Sequence, residues 1–302
     1  MRNRAIPWAP ILLLLATGCA THQQPHAKPA IGSRYIAPEA GFTGQQKQLA
    51  ATLCFKGMPE KTSDQLGPTE FIFRQGYVLE HSSLDKIPLW VCEHVTATQL
   101  GTDTDRSNHF LADPDLKGPH STPADYAHSG YDQGHQAPAA DQGKDQTLQN
   151  QTFYMSNMAP QLPHLNRDAW KSLEAQTRKW VDTYTEAWEF TGPIFYDPKE
   201  DNRQTADGTI KYWTIGKDAV SVPTHFYKIV IVKVDTHWKS IAFVMPNVST
   251  YKSPYHLEQY LQSIQWIEQH TGLNFMPALT AQQSQDLEAQ PSPMWTDPNV
   301  QP

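Results

Sequence analysis

The sequence predicts an α+β domain, with a mixed or antiparallel sheet and helices packed against it. Two observations predict it. Several short runs are rich in β-branched and aromatic residues, and two longer runs repeat apolar residues at helical spacing. They follow one another without the regular strand–helix alternation of a parallel sheet. The chain has 302 residues, 39% of them hydrophobic and 11% aromatic. That is too apolar and too aromatic for a disordered polypeptide, and long enough to bury a sizeable core. The predicted strands lie at 71–73, 76–79, 88–95, 152–156, 224–234 and 240–245, with Trp213 in a further one. The last two are the strongest, being dense in Val and Ile. A long helix is predicted over 166–190. There Trp170, Leu173, Thr177, Trp180, Val181, Tyr184 and Trp188 recur at three- and four-residue steps. A second is predicted over 254–270 from Leu257, Tyr260, Leu261, Ile264 and Ile267, with Gly272 as its stop.

The two ends of the chain differ from the body. Residues 1–18 carry Arg2 and Arg4, then a short apolar run, as a secretory signal peptide does. The run Leu15-Ala16-Thr17-Gly18-Cys19 resembles a bacterial lipobox, which implies that Cys19 is lipidated and becomes the first residue of the mature chain. Ala20 follows it. An Asp there would hold such a lipoprotein at the inner membrane, so the expected place is the outer membrane, facing the periplasm or the surface. Residues 19–45 are polar and punctuated by Pro and Gly, as a flexible tether is. Residues 46–280 form the folded body, and 281–302 read as a loose tail on which Trp295 could dock.

Charge and cysteine content exclude several classes. The net charge is −7, and removing residues 1–18 takes away two Arg and no acid, leaving −9. That argues against holding nucleic acid by bulk charge alone. No run offers the ~20 apolar residues of a stable membrane span. Three cysteines exclude a disulfide-dense scaffold and a four-cysteine zinc module. In an exported chain the remaining pair, Cys54 and Cys92, reads as a disulfide, the alternative being two buried thiols.

The residues that carry chemistry lie between the strands. His135 follows Gly134 in a Gly/Pro-punctuated turn, and an unperturbed imidazole suits a general base near neutrality. Asn166 opens the long helix, and Glu174 lies eight residues on, about 12 Å along its axis. An amide and a carboxylate beside a buried stripe need partners, and a hydrated hard cation such as Mg²⁺ would supply them. Taken singly, each residue has a plainer explanation: a core histidine, an N-cap, a solvated glutamate.

The ordered set resembles the DNA/RNA non-specific endonuclease family. The family's Asp-Arg-Gly-His signature followed by Pro and Asp is similar to Asp132-Gln133-Gly134-His135, Pro138 and Asp141. Its Ser-Asn-x-x-Pro-Gln stretch resembles Ser156, Asn157, Pro160 and Gln161, and its metal-binding Asn with Trp and Glu resembles Asn166, Trp170 and Glu174. An upstream Arg, Phe and Asp look like Arg106, Phe110 and Asp113. Less specific matches at 54–59, 88–90, 191–195, 222–228 and 270–273 extend the resemblance over residues 50–277.

The resemblance implies a ββα-metal active site and Mg²⁺- or Mn²⁺-dependent hydrolysis of DNA and RNA to products with 5′-phosphates. It implies that His135 is the general base and Asn166 the direct metal ligand. Glu174 would bind the metal through water, and Arg106 would offset phosphate charge. Gln133 departs from the family's Arg, which replaces a fixed cation beside the base with a neutral amide. Arg167 and Lys171 are expected to supply replacement charge and Arg167 to contact substrate, whereas Arg178 and Lys179 read as a solvated helix face. The alternative function is a catalytically weak nucleic-acid-binding envelope lipoprotein. A zinc hydrolase is disfavoured, because the chain has no His-Glu-x-x-His pair. Replacing Cys19 by Ser is expected to release the protein from the membrane fraction or to block its processing. Unchanged, detergent-requiring membrane association would rule lipidation out.

Overall fold

The structure, a computed structural model, describes residues 41–62, 66–201 and 204–295, and the backbone course of residues 2–7. Cys19 and residues 19–40 of the expected tether lie outside the described residues. In chain order the strands begin with β1 (Arg2–Pro7), β2 (Glu60–Lys61), β3 (Thr69–Phe73), β4 (Val78–Ser82) and β5 (Pro88–Thr96). They continue with β6 (Asp132–His135), β7 (Met158–Gln161), β8 (Glu186–Ile194), β9 (Thr209–Ile215) and β10 (Val220–Val222). The last are β11 (His225–Val234), β12 (His237–Pro246) and β13 (Leu273–Asn274). The helices are α1 (Gly44–Leu53), α2 (Pro123–Tyr126), α3 (Gln146–Gln151), α4 (Lys171–Tyr184), α5 (Ile264–Thr271) and α6 (Ala281–Glu288).

Six strands form an antiparallel sheet in the order β12-β11-β8-β5-β4-β3. The sheet is covered on both faces, so its central strands are nearly continuous apolar runs. On β11, Phe226, Val230 and Val232 join one core with Leu173, Trp180 and Val181 of α4. The alternate residues Tyr227, Ile229 and Ile231 join a second core with Ala50 and Leu53 of α1 and Ile264 and Ile267 of α5. The two-residue period of a strand thus feeds two layers from one segment. The sheet is the mixed α+β architecture the sequence predicts. A two-stranded ladder, β6 with β7, lies on the α4 side, outside the main sheet. β1 runs antiparallel to β9, and removal of a leader ending before Cys19 would take β1 away.

Several element boundaries differ from the sequence expectation. The long helix ends at Tyr184, where Thr185 takes a left-handed φ of 73°. Trp188 therefore lies on β8, where its Nε1 donates to the Thr52 carbonyl. The expected strand at 152–156 gives way to a turn of 3-10 helix over Met155–Asn157, and the strand proper is β7. The expected helix over 254–270 is two pieces, a 3-10 turn at Leu257–Tyr260 and α5. Leu261 is spent bridging to Phe243, Gln262 N–H donates to Ala242 on β12, and Ser263 starts α5 as its N-cap. Tertiary pairing has overridden a helical period there. The stretch from 281 is not loose through Trp295. It forms α6, buries Leu287, and sets Trp295 against Trp180 at 5.0 Å.

Cys54 and Cys92 form a disulfide that ties the end of α1 to β5, with Cα atoms 5.3 Å apart. Both sulfurs are buried in the second core. Closing a loop over a separation of 38 residues is worth roughly 2–4 kcal/mol in the chain-entropy account. The double variant Cys54→Ala/Cys92→Ala is therefore expected to melt about 5–15 °C lower. Calorimetry beside mass spectrometry of a non-reduced digest checks it. Free, alkylatable thiols in the native protein would contradict the bond.

Candidate active site

β6, β7 and the start of α4 make a compact ββα unit. Gly134 leaves room for the Gln161 side chain packed over it, which an added Cβ would displace. Asn157 pins the turn after His135. Its Oδ1 accepts from Ala137 N–H at 2.9 Å, and its Nδ2 donates to the Ala137 and Thr152 carbonyls. β7 leads into a π-helical turn over Leu165–Trp170 that precedes α4. This wide turn keeps Leu165, Ala169 and Trp170 in the core while Asn166 and Arg167 face outward. Such turns are frequent at functional sites because they re-aim side chains without breaking the helix.

The unit floors a cavity of about 570 Å³. His135, Asn166, Glu174, Arg106, Gln133 and Arg167 all line it, so the residues expected to act in catalysis, metal binding and substrate binding are brought together. Asp132, Lys171 and Arg178 line it as well.

His135 is only 8% exposed, held edge-on between Phe153 at 4.9 Å and Phe110 at 5.7 Å. Burial, followed by the charge of Arg106, pushes its pKa down to about 3. The ring is therefore neutral at physiological pH, the state a base needs. Nε2 is sealed from solvent and has no hydrogen-bond partner among the described residues. Arg106 is exposed, stacks over Phe153 at 5.2 Å and donates from Nε to Asn108 Oδ1.

Asp132 organises the opposite wall. It accepts from Asn166 Nδ2 at 3.0 Å and from Arg167 Nε and Nη2 at 2.7 and 2.6 Å. Burial works against its charge, but these hydrogen bonds outweigh it and hold the carboxyl below its usual range. The consequence is directional. With Nδ2 committed to Asp132, the Asn166 amide presents Oδ1, an oxygen donor, to the cavity. Arg167 and Gln133 line the same cavity, with the Arg167 guanidinium held on Asp132.

Below Glu174 lies a buried row of charge on the sheet face. Glu93 on β5 and Glu189 on β8 are paired across the strands, and Lys228 on β11 donates to Glu189 at 2.5 Å and to Thr191 at 2.9 Å. Asp141 completes the group and accepts from Arg178 at 2.9 Å. Carboxylate oxygens of Glu93, Asp141 and Glu189 lie within 4.8 Å of one another. Burial and mutual repulsion push Glu93 well up and Asp141 to about 6. Burial also lifts Glu174 to about 7, against the pull of Lys228 and Arg178. Burial and crowding hold Glu93 and Glu174 towards their protonated forms, a state that an added positive charge beside them would reverse. Oxygen donors from Asn166 and Glu174 above a carboxylate-rich floor fit a hard divalent cation.

Comparison with known proteins agrees with this geometry. The family model described as DNA/RNA non-specific endonuclease matches residues 54–282. The chain belongs to the DNA/RNA non-specific endonuclease family. It is 38% identical to human mitochondrial endonuclease G over 213 residues, 69% of this chain and 70% of the human protein. It is 37% identical to nuclease C1 of Cunninghamella echinulata var. echinulata over 229 residues, 72% and 87% of the two chains. The crystal structure of an EndoG/EndoGI complex superposes with a TM-score of 0.68 at 32% identity, covering 80% of this chain and 95% of the other. Family membership makes the protein a non-specific endonuclease, a hydrolase acting on nucleic acids.

Two features of this family member differ from the sequence expectation. Arg178, expected on a solvated helix face, is instead a cavity residue whose side chain is 22% exposed and bound to Asp141. The signal was available: Arg178 lies one helical turn beyond Glu174, on the same face. Asp113, quoted with Arg106, is structural, accepting from Arg74 and Ser156. Asp132→Ala frees the Asn166 amide to turn and releases Arg167. It is expected to lower cleavage by about 10- to 100-fold, as loss of a residue that orients a ligand typically does. Initial rates on plasmid DNA, with circular dichroism as a folding control, check this. A folded variant with wild-type rate would show that Asp132 positions nothing.

Proposed function

We propose that the protein is an exported, metal-dependent endonuclease that hydrolyses phosphodiester bonds of DNA and RNA with little sequence preference. The observation that carries this reading is the convergence of a neutral imidazole, two oxygen donors and three guanidinium groups on one cavity. Asn166 would hold one Mg²⁺ or Mn²⁺ directly through Oδ1, and Glu174 would bind it through water. When bound, the ion supplies Lewis-acid stabilisation of charge on the phosphate and on the departing 3′ oxygen.

The protein's own groups do the rest. Nε2 of His135 is closed off from solvent, so Nδ1 is the ring nitrogen left to serve the cavity, and the neutral tautomer protonated on Nε2 is the one that acts as base there. Nδ1 takes a proton from water as the water oxygen bonds to phosphorus. The bond from phosphorus to the 3′ oxygen breaks, that oxygen takes a proton from solvent, and the phosphate stays on the 5′ oxygen of the downstream fragment. The incoming phosphate raises the basicity of His135, which burial and Arg106 otherwise hold low. Arg106, Arg167 and Arg178 offset the charge that builds on phosphate. Backbone contacts of this kind position the strand without reading its sequence. A catalytically weak binder is the second reading, drawn from Gln133, and Arg167 in the same cavity weighs against it.

Lipidation at Cys19 would set this activity on the bacterial envelope, at the outer membrane. The disulfide supports an oxidising compartment. His135→Ala is expected to lose about 10²- to 10⁴-fold in rate and to keep its Mg²⁺ affinity. Asn166→Ala is expected to lose rate and Mg²⁺ affinity together, with partial rescue at high Mg²⁺. Cleavage of plasmid and RNA in Mg²⁺ or EDTA, beside calorimetric metal titration, tests the pair. Wild-type cleavage by folded His135→Ala would refute the base, and normal Mg²⁺ binding by Asn166→Ala would move the metal elsewhere.

A further inference from the structure

We infer that the protein carries a second binding site, an aromatic pocket that takes an unpaired nucleobase of the substrate strand. The inference rests on the nuclease reading and adds a substrate preference to it. Beyond the end of β12 the chain folds into an open cleft of about 260 Å³. That is below the ~300–1,000 Å³ of a drug-sized site and suits a single ring system. Its walls are Tyr251, Tyr255 and Tyr260, with Pro254 between them and Lys252 and His256 at the rim.

The tyrosines are half-buried, and their inner sides pack on the core that contains Leu165, Trp170 and Phe243. Tyr251 is fixed by donating its hydroxyl to the Pro246 carbonyl at 2.7 Å, and its ring meets Tyr260 at 5.8 Å. Tyr255 makes no hydrogen bond or ring contact with another described residue. Lys252 is exposed and has no acidic partner among the described residues, whereas His256 contacts Glu258. A free aromatic face beside a free cation is the chemistry that binds single-stranded nucleic acid: a base stacks and its phosphate meets the ammonium. Duplex DNA keeps its bases stacked on each other and offers this cleft nothing but backbone.

The cleft is wired to the cavity through one residue. Asn247, at the base of the loop, accepts from Leu162 N–H at 2.8 Å and donates to the Pro160 carbonyl at 3.0 Å. The Leu162 carbonyl in turn accepts the backbone N–H of Asn166 at 2.9 Å. The aromatic loop and the Asn166 turn are thus held by the two sides of a single peptide segment. The placement of the cleft is therefore coupled to that of the Asn166 turn.

The test uses the full chain carrying His135→Ala, so that substrate survives. Fluorescence anisotropy measures the affinity of a short oligothymidylate and of a blunt duplex of equal length. Adding Tyr255→Ala is expected to weaken oligothymidylate binding by roughly 5- to 100-fold and leave duplex binding unchanged, while Tyr255→Phe keeps both. Lys252→Ala is expected to lower the salt dependence of oligothymidylate binding by about one phosphate contact. Unchanged oligothymidylate binding by folded Tyr255→Ala overturns the inference. So does an equal loss on both substrates, or a change of oligomeric state in sedimentation with binding intact, which would assign the cleft to a second copy. If the parent binds neither nucleic acid and the wild type cleaves neither, the nuclease reading itself has failed.

Discussion

The ion pair between Lys228 and Glu189, sealed between the sheet and α4, is the constraint on which the cavity depends. Both side chains are almost wholly buried. Burial works against the lysine's charge, but Glu189 and Glu93 hold its pKa above the usual lysine range. A charge in that position is tolerable only while its partner stays, and removing one partner of such a pair typically costs about 3–5 kcal/mol. The sheet register that sets Glu93 opposite Glu189 therefore also sets the field under Glu174. Asp141 and Arg178 close the group from above, linking the turn after His135 to α4. The pairing of β5, β8 and β11 at the centre of the sheet and the electrostatics of the cavity are one structure.

That field divides the labour among the carboxyls. Glu93 is pushed towards its neutral form by burial and by the acids around it. Asp132, at the outer wall, is driven the other way by two donors and stays ionised. One acid is thus suited to filling space in the core, and the other to aiming an amide and a guanidinium. His135 belongs to the same design: burial among aromatic walls, followed by the charge of Arg106, keeps it neutral. Low dielectric makes each of these effects larger than it would be in water, and makes each dependent on neighbours in distant parts of the chain.

Much of the sheet was legible because strand patterns are local. The runs at 88–95, 224–234 and 240–245 became β5, β11 and β12, and the period-2 alternation of β11 reports its two cores directly. Helix ends were less legible. Trp188 fits the α4 period, yet the left-handed Thr185 diverts it to β8. Leu261 and Ile264 fit one helix, yet pairing of 261 and 262 with β12 splits it. Hydrophobic periodicity says that a residue is buried and does not say against which element.

The sequence by itself determined which residues meet in the candidate active site. Gly134, His135, Asn157, Asn166 and Glu174 stand in an order and spacing that few folds can use, because each requirement is local: a glycine under a packed side chain, an amide that pins a turn, an oxygen donor at a helix start. Tertiary structure alone decided what those residues experience. The proton affinity of His135 comes from Phe153, Phe110 and Arg106, the aim of Asn166 from Asp132, and the cavity place of Arg178 from Asp141. Burial and field are properties of atoms brought together from far apart in the chain, and they do not exist until the sheet and α4 have closed on one another.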